Sequence, residues 1–397
     1  MTDVENAEKT NNEYNEHNHD DHNNHNDNHN NNEQSGGKLL DQGSYGCVYL
    51  TDNQKKRNKF VSKLMSIKHA IKEMKMSYEV IKRTGEYYDK YYAPIVSYNH
   101  LYKNNYKFNN NPLKQFREKK KKTLVENFKK ENPAKNCDVY RNATNPEFDF
   151  ILVHIPFIKG KTMREKIYDK IYDAKTDDDF DNLHCFITSC ESHLQTGVTK
   201  LSEAGIVHYD MHSQNVFYND ITENPVILDF GLSFLRDDLK KKTFESDDAF
   251  YGRLRDFLLD DYEYRITWWC PEIKYVGHIL RRETNFTLKQ AEDEAKKIFT
   301  KNERYSLLAS LNLPKTIFDY DAELQKLIDF FKRMSKLSKM AAIKKLTSLK
   351  YVKTWDTYSK AGTFLRFYEE EKIHKKQFDK LLVKMIKEYS IIPEDRL

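Results

Sequence analysis

No apolar run in this chain approaches the ~20 residues that a membrane-spanning helix needs, which argues against membrane insertion. The N-terminus has no charged segment followed by an apolar stretch, so no secretory signal is expected. An excess of one charge sign is lacking too. Lys and Arg number 66 against 61 Asp and Glu, a net +5. That argues for a soluble chain of interspersed charge and against an obligate nucleic-acid binder. Cysteine is sparse: Cys47, Cys137, Cys185, Cys190 and Cys270 contain no C-x-x-C pair and are odd in number. This predicts neither a disulfide framework nor a zinc site, and it favours a reducing compartment.

What the chain does contain is enough length, 397 residues, to bury one large core or two lobes. Residues 1–35 are almost all Asn, Asp, Glu and His without apolar periodicity, a composition that predicts a disordered tail. His17, His19, His22, His25 and His29 have ligand chemistry for a transition metal, but without fixed geometry a solvated tail is the favoured reading. Folding should begin near Gly36. Residues 38–50 alternate and turn on Gly43 and Gly46 like a β-hairpin, and 60–65 read as the next strand. From Ser66 to about Thr84, Ile71, Met74 and Tyr78 fall at helical spacing. Residues 101–146 read as an insert whose basic run, 114–135, is interrupted by Glu118, Glu126 and Glu131. A solvated charged face is the favoured reading there. Residues 148–155 form a strand that breaks at Pro156. A strong amphipathic helix follows over 183–204, with the stripe Ile187, Cys190, Leu194, Val198, Leu201 and a terminating Gly205. Residues 273–352 look like a helical insert. Thr287–Gln290 is a capping box, and Leu324, Leu327, Ile328 and Phe331 make another helical face.

Between these helical regions lies the most informative stretch, Ile206 to Gly231. It carries Asp210, Asn215 and Asp229, the last at the end of an apolar strand read as Val226–Asp229. Three oxygen-bearing side chains converging at strand ends suit Mg²⁺, a hard cation that shares its oxygen ligands with substrate phosphates. The joint pattern is H-x-D-x-x-x-x-N followed by D-F-G, here His208, Asp210, Asn215 and Asp229–Gly231. In it the sequence resembles the protein kinase family.

The resemblance implies an α+β, bilobal protein-kinase-like fold: a β-rich N-lobe over 36–155 and a larger helical C-lobe over 156–397, with ATP and Mg²⁺ as cofactors and a protein substrate. It covers about 38–100, 147–272 and 353–397. It implies a glycine-rich loop over the ATP phosphates at Gly43, Ser44, Tyr45, Gly46 and Val48, with Asp41 where the family has its first glycine. Lys63 would hold the α/β-phosphates, fixed by a helix glutamate, Glu79 with Glu73 as the alternative. Pro156, Phe157 and Ile158 would face the adenine, with Ile155 at the back of that pocket. Asp210 would accept the proton of the substrate hydroxyl, and Asn215 and Asp229 would hold the metal. Residues 232–269 would be the activation segment, ending at Cys270-Pro271-Glu272. Asp356 in Trp355-Asp-Thr-Tyr-Ser359 would anchor the catalytic loop, and Arg396 would pair with Glu272. Little of the family's last helix would remain before Leu397. Two residues depart inside the central stretch: Tyr209 replaces the family's Arg and His212 its Lys. Serine or threonine hydroxyls are the expected acceptors. A kinase-like small-molecule phosphotransferase and a pseudokinase scaffold are the competing readings. The 273–352 insert is a candidate docking surface for a protein partner. The long inserts, the tail and the Lys/Asn/Tyr bias resemble kinases of large DNA viruses, and a cytoplasmic location, or the virion, follows as an expectation.

Overall fold

Alternation along the N-terminal strands sorts their side chains onto two apolar faces, and each face has its own cover. The computed structural model describes residues 38–43, 46–50, 60–100, 117–118, 136–143, 149–239, 246, 249–250, 252, 254, 268–370 and 380–396, all in one unit, Gly36–Leu397. The low-complexity segment 1–35 with its five histidines, Ser44 and Tyr45, and most of the basic run lie outside the described residues. Strands β1 (Lys38–Gly43), β2 (Gly46–Leu50), β3 (Phe60–Ser66), β4 (Ser97–His100), β5 (Arg117–Glu118) and β6 (Phe150–Pro156) make one sheet. Their order is β1-β2-β3-β6-β4-β5, antiparallel except for β4 with β5. Met65, Ile151 and Val153 share one face with Ala70 and Met74 of helix α1 (Ile67–Thr84). Leu64, Phe150 and Leu152 share the other with Cys47, Tyr49 and Cys137.

Helix α1 starts where the side chain of Ser66 accepts from the His69 N–H. After it, the short helix α2 (Tyr88–Tyr91) leads into a tether between the sheet and the rest of the chain. There the Tyr92 hydroxyl donates to the Gly197 carbonyl at 2.7 Å and the Ala93 N–H to the Ile227 carbonyl at 2.9 Å. The sheet's second cover is segment 137–143, which includes helix α3 (Asp138–Arg141) and packs Val139, Tyr140 and Ala143 on that face.

A disulfide joins Cys137 to Cys47 of β2, with Cα atoms 5.9 Å apart and 90 residues between them in sequence. This corrects the expectation drawn from the cysteine count. One pair forms, and Cys185, Cys190 and Cys270 remain free. Spacing could not reveal the pair, because the second cysteine returns to the sheet only after the basic run 114–135. The cysteine argument for a reducing compartment falls with it.

Beyond Pro156 the chain is mainly helical: α4 (Met163–Asp173) and α5 (Asp177–Glu203), then α6 (Pro271–Leu280), α7 (Leu288–Thr300), α8 (Glu303–Ser310), α9 (Tyr320–Ser335), α10 (Lys339–Leu346), α11 (Leu349–Val352), α12 (Trp355–Leu365) and α13 (Lys380–Glu388). Short strands β7 (Gly160–Thr162), β9 (Val216–Asn219) and β10 (Asn224–Ile227) form a small second sheet, and β8 (Ile206–Val207) pairs with β11 (Phe234–Leu235). Helix α5 carries Ser, Thr, Cys and Gly in its middle, poor local material for a helix. Its whole predicted stripe, Ile187, Cys190, Leu194, Val198 and Leu201, is nonetheless buried. At about 1.5–3 kcal/mol per buried large apolar side chain, that stripe outweighs propensity differences below about 1 kcal/mol per residue. The helix begins earlier than expected, on a Thr176–Asp179 capping box, and ends before Gly205 at φ +74°, a left-handed turn suited to glycine. Residues 273–352 are mainly helical, as expected, and the Thr287–Gln290 capping box is formed. Among the described residues no helix is long and apolar enough to cross a membrane.

Thiol titration of the denatured, unreduced chain should count the three free cysteines, and all five after reduction. Cys47→Ser should lower unfolding free energy by about 2–4 kcal/mol relative to the oxidised protein in urea titrations. Five thiols before reduction would show the bridge to be absent.

Candidate active site

The register of the sheet decides where Lys63 points. In β3 it lies two residues from Met65 and so on the face covered by α1, directly across from Val48 of β2. Lys63 is 8% exposed, and its ammonium is 2.9 Å from Glu73 Oε2 and 3.1 Å from Asp229 Oδ2. Burial alone would lower the Lys63 pKa, but the Asp229 and Glu73 carboxylates outweigh it and hold the lysine above its ordinary value. Burial pushes Glu73 up to about 7; Lys63 pulls it down, and the neighbouring Asp229 charge adds to the rise. For Asp229, burial pushes up, while Lys63 and the Gly231 N–H, donating to Oδ1 at 3.0 Å, more than offset it and hold the carboxyl below its ordinary range.

Glu79, the first choice for the lysine's partner, is not that partner. It accepts from Arg83 at 2.6 Å, one turn along the same helix. Six residues separate the two acids, which sets them roughly 120° apart around a helix. Glu73 shares a stripe with Ala70, Ser77 and Val80, all buried against the fold, and that stripe could have identified it.

The loop between β8 and β9 carries the second group. Asp356, at the start of α12, is buried and accepts from two successive backbone N–H groups, His208 at 2.7 Å and Tyr209 at 2.8 Å. Burial raises its pKa, against the pull of His208 and of these two N–H bonds. Tyr209 has φ +71°, a conformation rare for a bulky residue. Its carbonyl accepts from Trp269 Nε1 at 3.0 Å, and its ring stacks on Trp269 with centroids 5.1 Å apart. With Phe234 and Trp355 nearby, Tyr209 belongs to a buried aromatic cluster.

Asp210 follows, held at both oxygens. Asn215 Nδ2 donates to Oδ2 at 3.0 Å and to the Asp210 carbonyl at 3.0 Å, and Trp268 Nε1 donates to Oδ1 at 3.0 Å. His212 Nδ1 accepts from the Gln214 N–H at 3.3 Å, which assigns the neutral ring's proton to Nε2, 3.7 Å from Asp210 Oδ2.

The Leu228 N–H donates to the Asn215 carbonyl at 2.8 Å, so Asn215 and Asp229 flank the same end of the β9–β10 hairpin. The strand stops at Ile227, two residues short of the expected Asp229, and Asp229 itself has φ +56°. Phe230 turns into the core, against Tyr92 and His208. Among the described residues no group of three or more His, Cys, Asp or Glu could hold a metal ion. The amide oxygen of Asn215 and the Asp229 carboxylate, on a side chain 39% exposed, are a smaller donor set of the kind that could hold Mg²⁺ together with phosphate oxygens.

Gly43 and Gly46 close the β1–β2 hairpin opposite each other. At Gly46 a Cβ would lie 2.2 Å from the Leu64 carbonyl oxygen, so strand packing alone requires glycine there. Phe157 and Ile158 form the bend after β6; Phe157 is exposed and Ile158 half-buried, while Ile155 packs against the α1 face of the sheet. Arg396 and Glu272 form an ion pair with both side chains fully buried. Residues 240–245, 247–248, 251, 253 and 255–267 of the expected activation segment lie outside the described residues. Sequence reasoning missed the contacts of the two tryptophans, Trp268 with Asp210 and Trp269 with Tyr209. Compared with family models and with curated proteins, the chain has no match.

The Asp356 anchor makes a graded prediction. Asp356→Ala orphans two buried N–H groups, each worth about 1–3 kcal/mol, whereas Asp356→Asn retains one acceptor oxygen and should cost roughly half as much. Urea denaturation of the two variants tests the order; equal losses, or none, would contradict it.

Proposed function

We propose that this chain is an ATP- and Mg²⁺-dependent protein kinase acting on serine or threonine hydroxyls. The observation that carries the reading is the Lys63 ammonium shared between Glu73 and Asp229, with Asp210 and Asn215 on the adjoining loop. A fixed cation, an oriented and partly exposed carboxylate and two oxygen ligands are what phosphoryl transfer asks of a protein: positioning and charge stabilisation, with little covalent chemistry. The Asp356 anchor and the Glu272–Arg396 pair lie where the resemblance to protein kinases implies them, and they favour a protein over a small-molecule acceptor.

In this mechanism Lys63 holds the α/β-phosphates of ATP, kept in place by Glu73. The acceptor hydroxyl oxygen attacks the γ-phosphorus, the bond to the β–γ bridging oxygen breaks, and ADP leaves. Asp210 orients the hydroxyl and takes its proton. Asn215 and Asp229 would hold Mg²⁺, which when bound offsets the charge of the phosphates. Gly43, Gly46 and Val48 line the β1–β2 hairpin beside Lys63 and would approach the phosphates from above. The acceptor protein is the partner this activity requires, and the helical region 273–352 is the surface we assign to docking it.

Incubation with γ-labelled ATP, Mg²⁺ and a mixture of protein substrates should label protein. Asp210→Asn should lower the rate on the order of 10²–10⁴-fold, and Asp229→Ala or chelation of Mg²⁺ should abolish it. No transfer by the unmodified chain would sink the proposal.

Tyr209 adds a second expectation. Its buried aromatic cluster stands where the family has an arginine that receives activation-segment phosphate, and the loop is already held by Asp356 and Trp269. Phosphatase treatment should therefore leave the rate unchanged. Loss of activity on dephosphorylation, restored by phosphorylation within 232–269, would refute that independence.

A further inference from the structure

Trp268 precedes the Cys270-Pro271-Glu272 motif, and its indole reaches the acid at the centre of the site. We propose that Trp268 is a positioning residue that fixes the plane of the Asp210 carboxylate for the acceptor hydroxyl, an inference that rests on the kinase reading above.

The torsion that turns an aspartate carboxylate is broad and nearly free, so a single donor on one oxygen leaves the group able to swing. Asp210 has two donors, one on each oxygen: Asn215 Nδ2 on Oδ2 and Trp268 Nε1 on Oδ1, both at 3.0 Å. Between them they set the plane. The indole N–H is a donor without an acceptor, so Trp268 cannot itself take the proton of a substrate, and its effect passes through Asp210.

The indole is anchored in turn. The Trp268 carbonyl accepts from Ser359 Oγ at 2.5 Å, and its ring lies against that of His212 with centroids 4.6 Å apart. Its neighbour Trp269 is held by Tyr209, so two consecutive tryptophans clamp the chain before α6 onto the loop that carries Asp210. The contact orients the acid without covering it. The Asp210 side chain keeps 20% of its surface exposed, and each carboxylate oxygen has a second lone pair to offer.

The chain has three tryptophans, Trp268, Trp269 and Trp355, and so three indole N–H resonances in the full-length protein. Trp268→Phe assigns one of them and leaves the other two in place if the fold is intact. In Asp210→Ala the assigned resonance should move upfield. In the labelled-ATP assay Trp268→Phe should lower kcat on the order of tenfold to a hundredfold with KM for ATP unchanged, because the base is misaligned and the nucleotide site is untouched. An indole resonance indifferent to Asp210→Ala overturns the inference whatever the activity. So does a Trp268→Phe rate equal to or above that of the unmodified chain while Asp210→Asn is inactive; both results leave the kinase reading standing. A chain that transfers no phosphate at all removes that reading and this inference with it.

Discussion

One ammonium ties together three parts of the chain that have no other reason to meet. Lys63 comes from a central strand of the sheet, Glu73 from the helix that covers it, and Asp229 from the loop after a hairpin in the helical part. Lys63 and Glu73 are buried and each is costly there without an opposite charge, because an isolated charge taken from water carries several kcal/mol of desolvation, while Asp229 completes the set from a more exposed position. The site is thus conditional on the seating of α1 on the sheet and on the seating of the sheet on the β9–β10 hairpin. The Tyr92 and Ala93 hydrogen bonds to Gly197 and Ile227 give that second contact a fixed geometry close to the lysine's partners.

A second constraint works on the backbone. Tyr209 and Asp229 both sit at positive φ, which an aspartate tolerates and a bulky tyrosine rarely adopts. The surrounding hydrogen bonds over-determine them: Asp356 and Trp269 hold Tyr209 from both sides, and Asp229 closes onto the Gly231 N–H. At Tyr209 a buried aromatic and a buried carboxylate do the holding, and both come from more than 50 positions away in sequence.

Much of this is legible in the amino-acid sequence. The α5 stripe followed from periodicity, the Thr287 capping box from spacing, and the Asp356 and Arg396 contacts from the resemblance. What could not be read has a common cause. Choosing between Glu73 and Glu79 needs the rotational setting of α1, and Ile71, Met74 and Tyr78 define it less well than the small residues Ala70 and Ser77. The Cys47–Cys137 pair depends on a chain return across an insert, and no local pattern records a return. The Trp268 contact depends on a side-chain N–H finding a carboxylate 58 residues earlier. Periodicity reports which face is apolar; it is silent on which polar atom meets which.

The disulfide turns everything from Cys47 to Cys137 into a covalent ring that includes β3, α1, β4 and the basic insert. In an open chain, lengthening such an insert would make its two ends harder to bring together on folding, by about 0.6 kcal/mol per doubling. In a ring that closure already exists in the unfolded chain, so the second cover of the sheet is insulated from the length and composition of what precedes it. The insert can grow, shrink or change its charge while the strand beside Lys63 keeps the same neighbour.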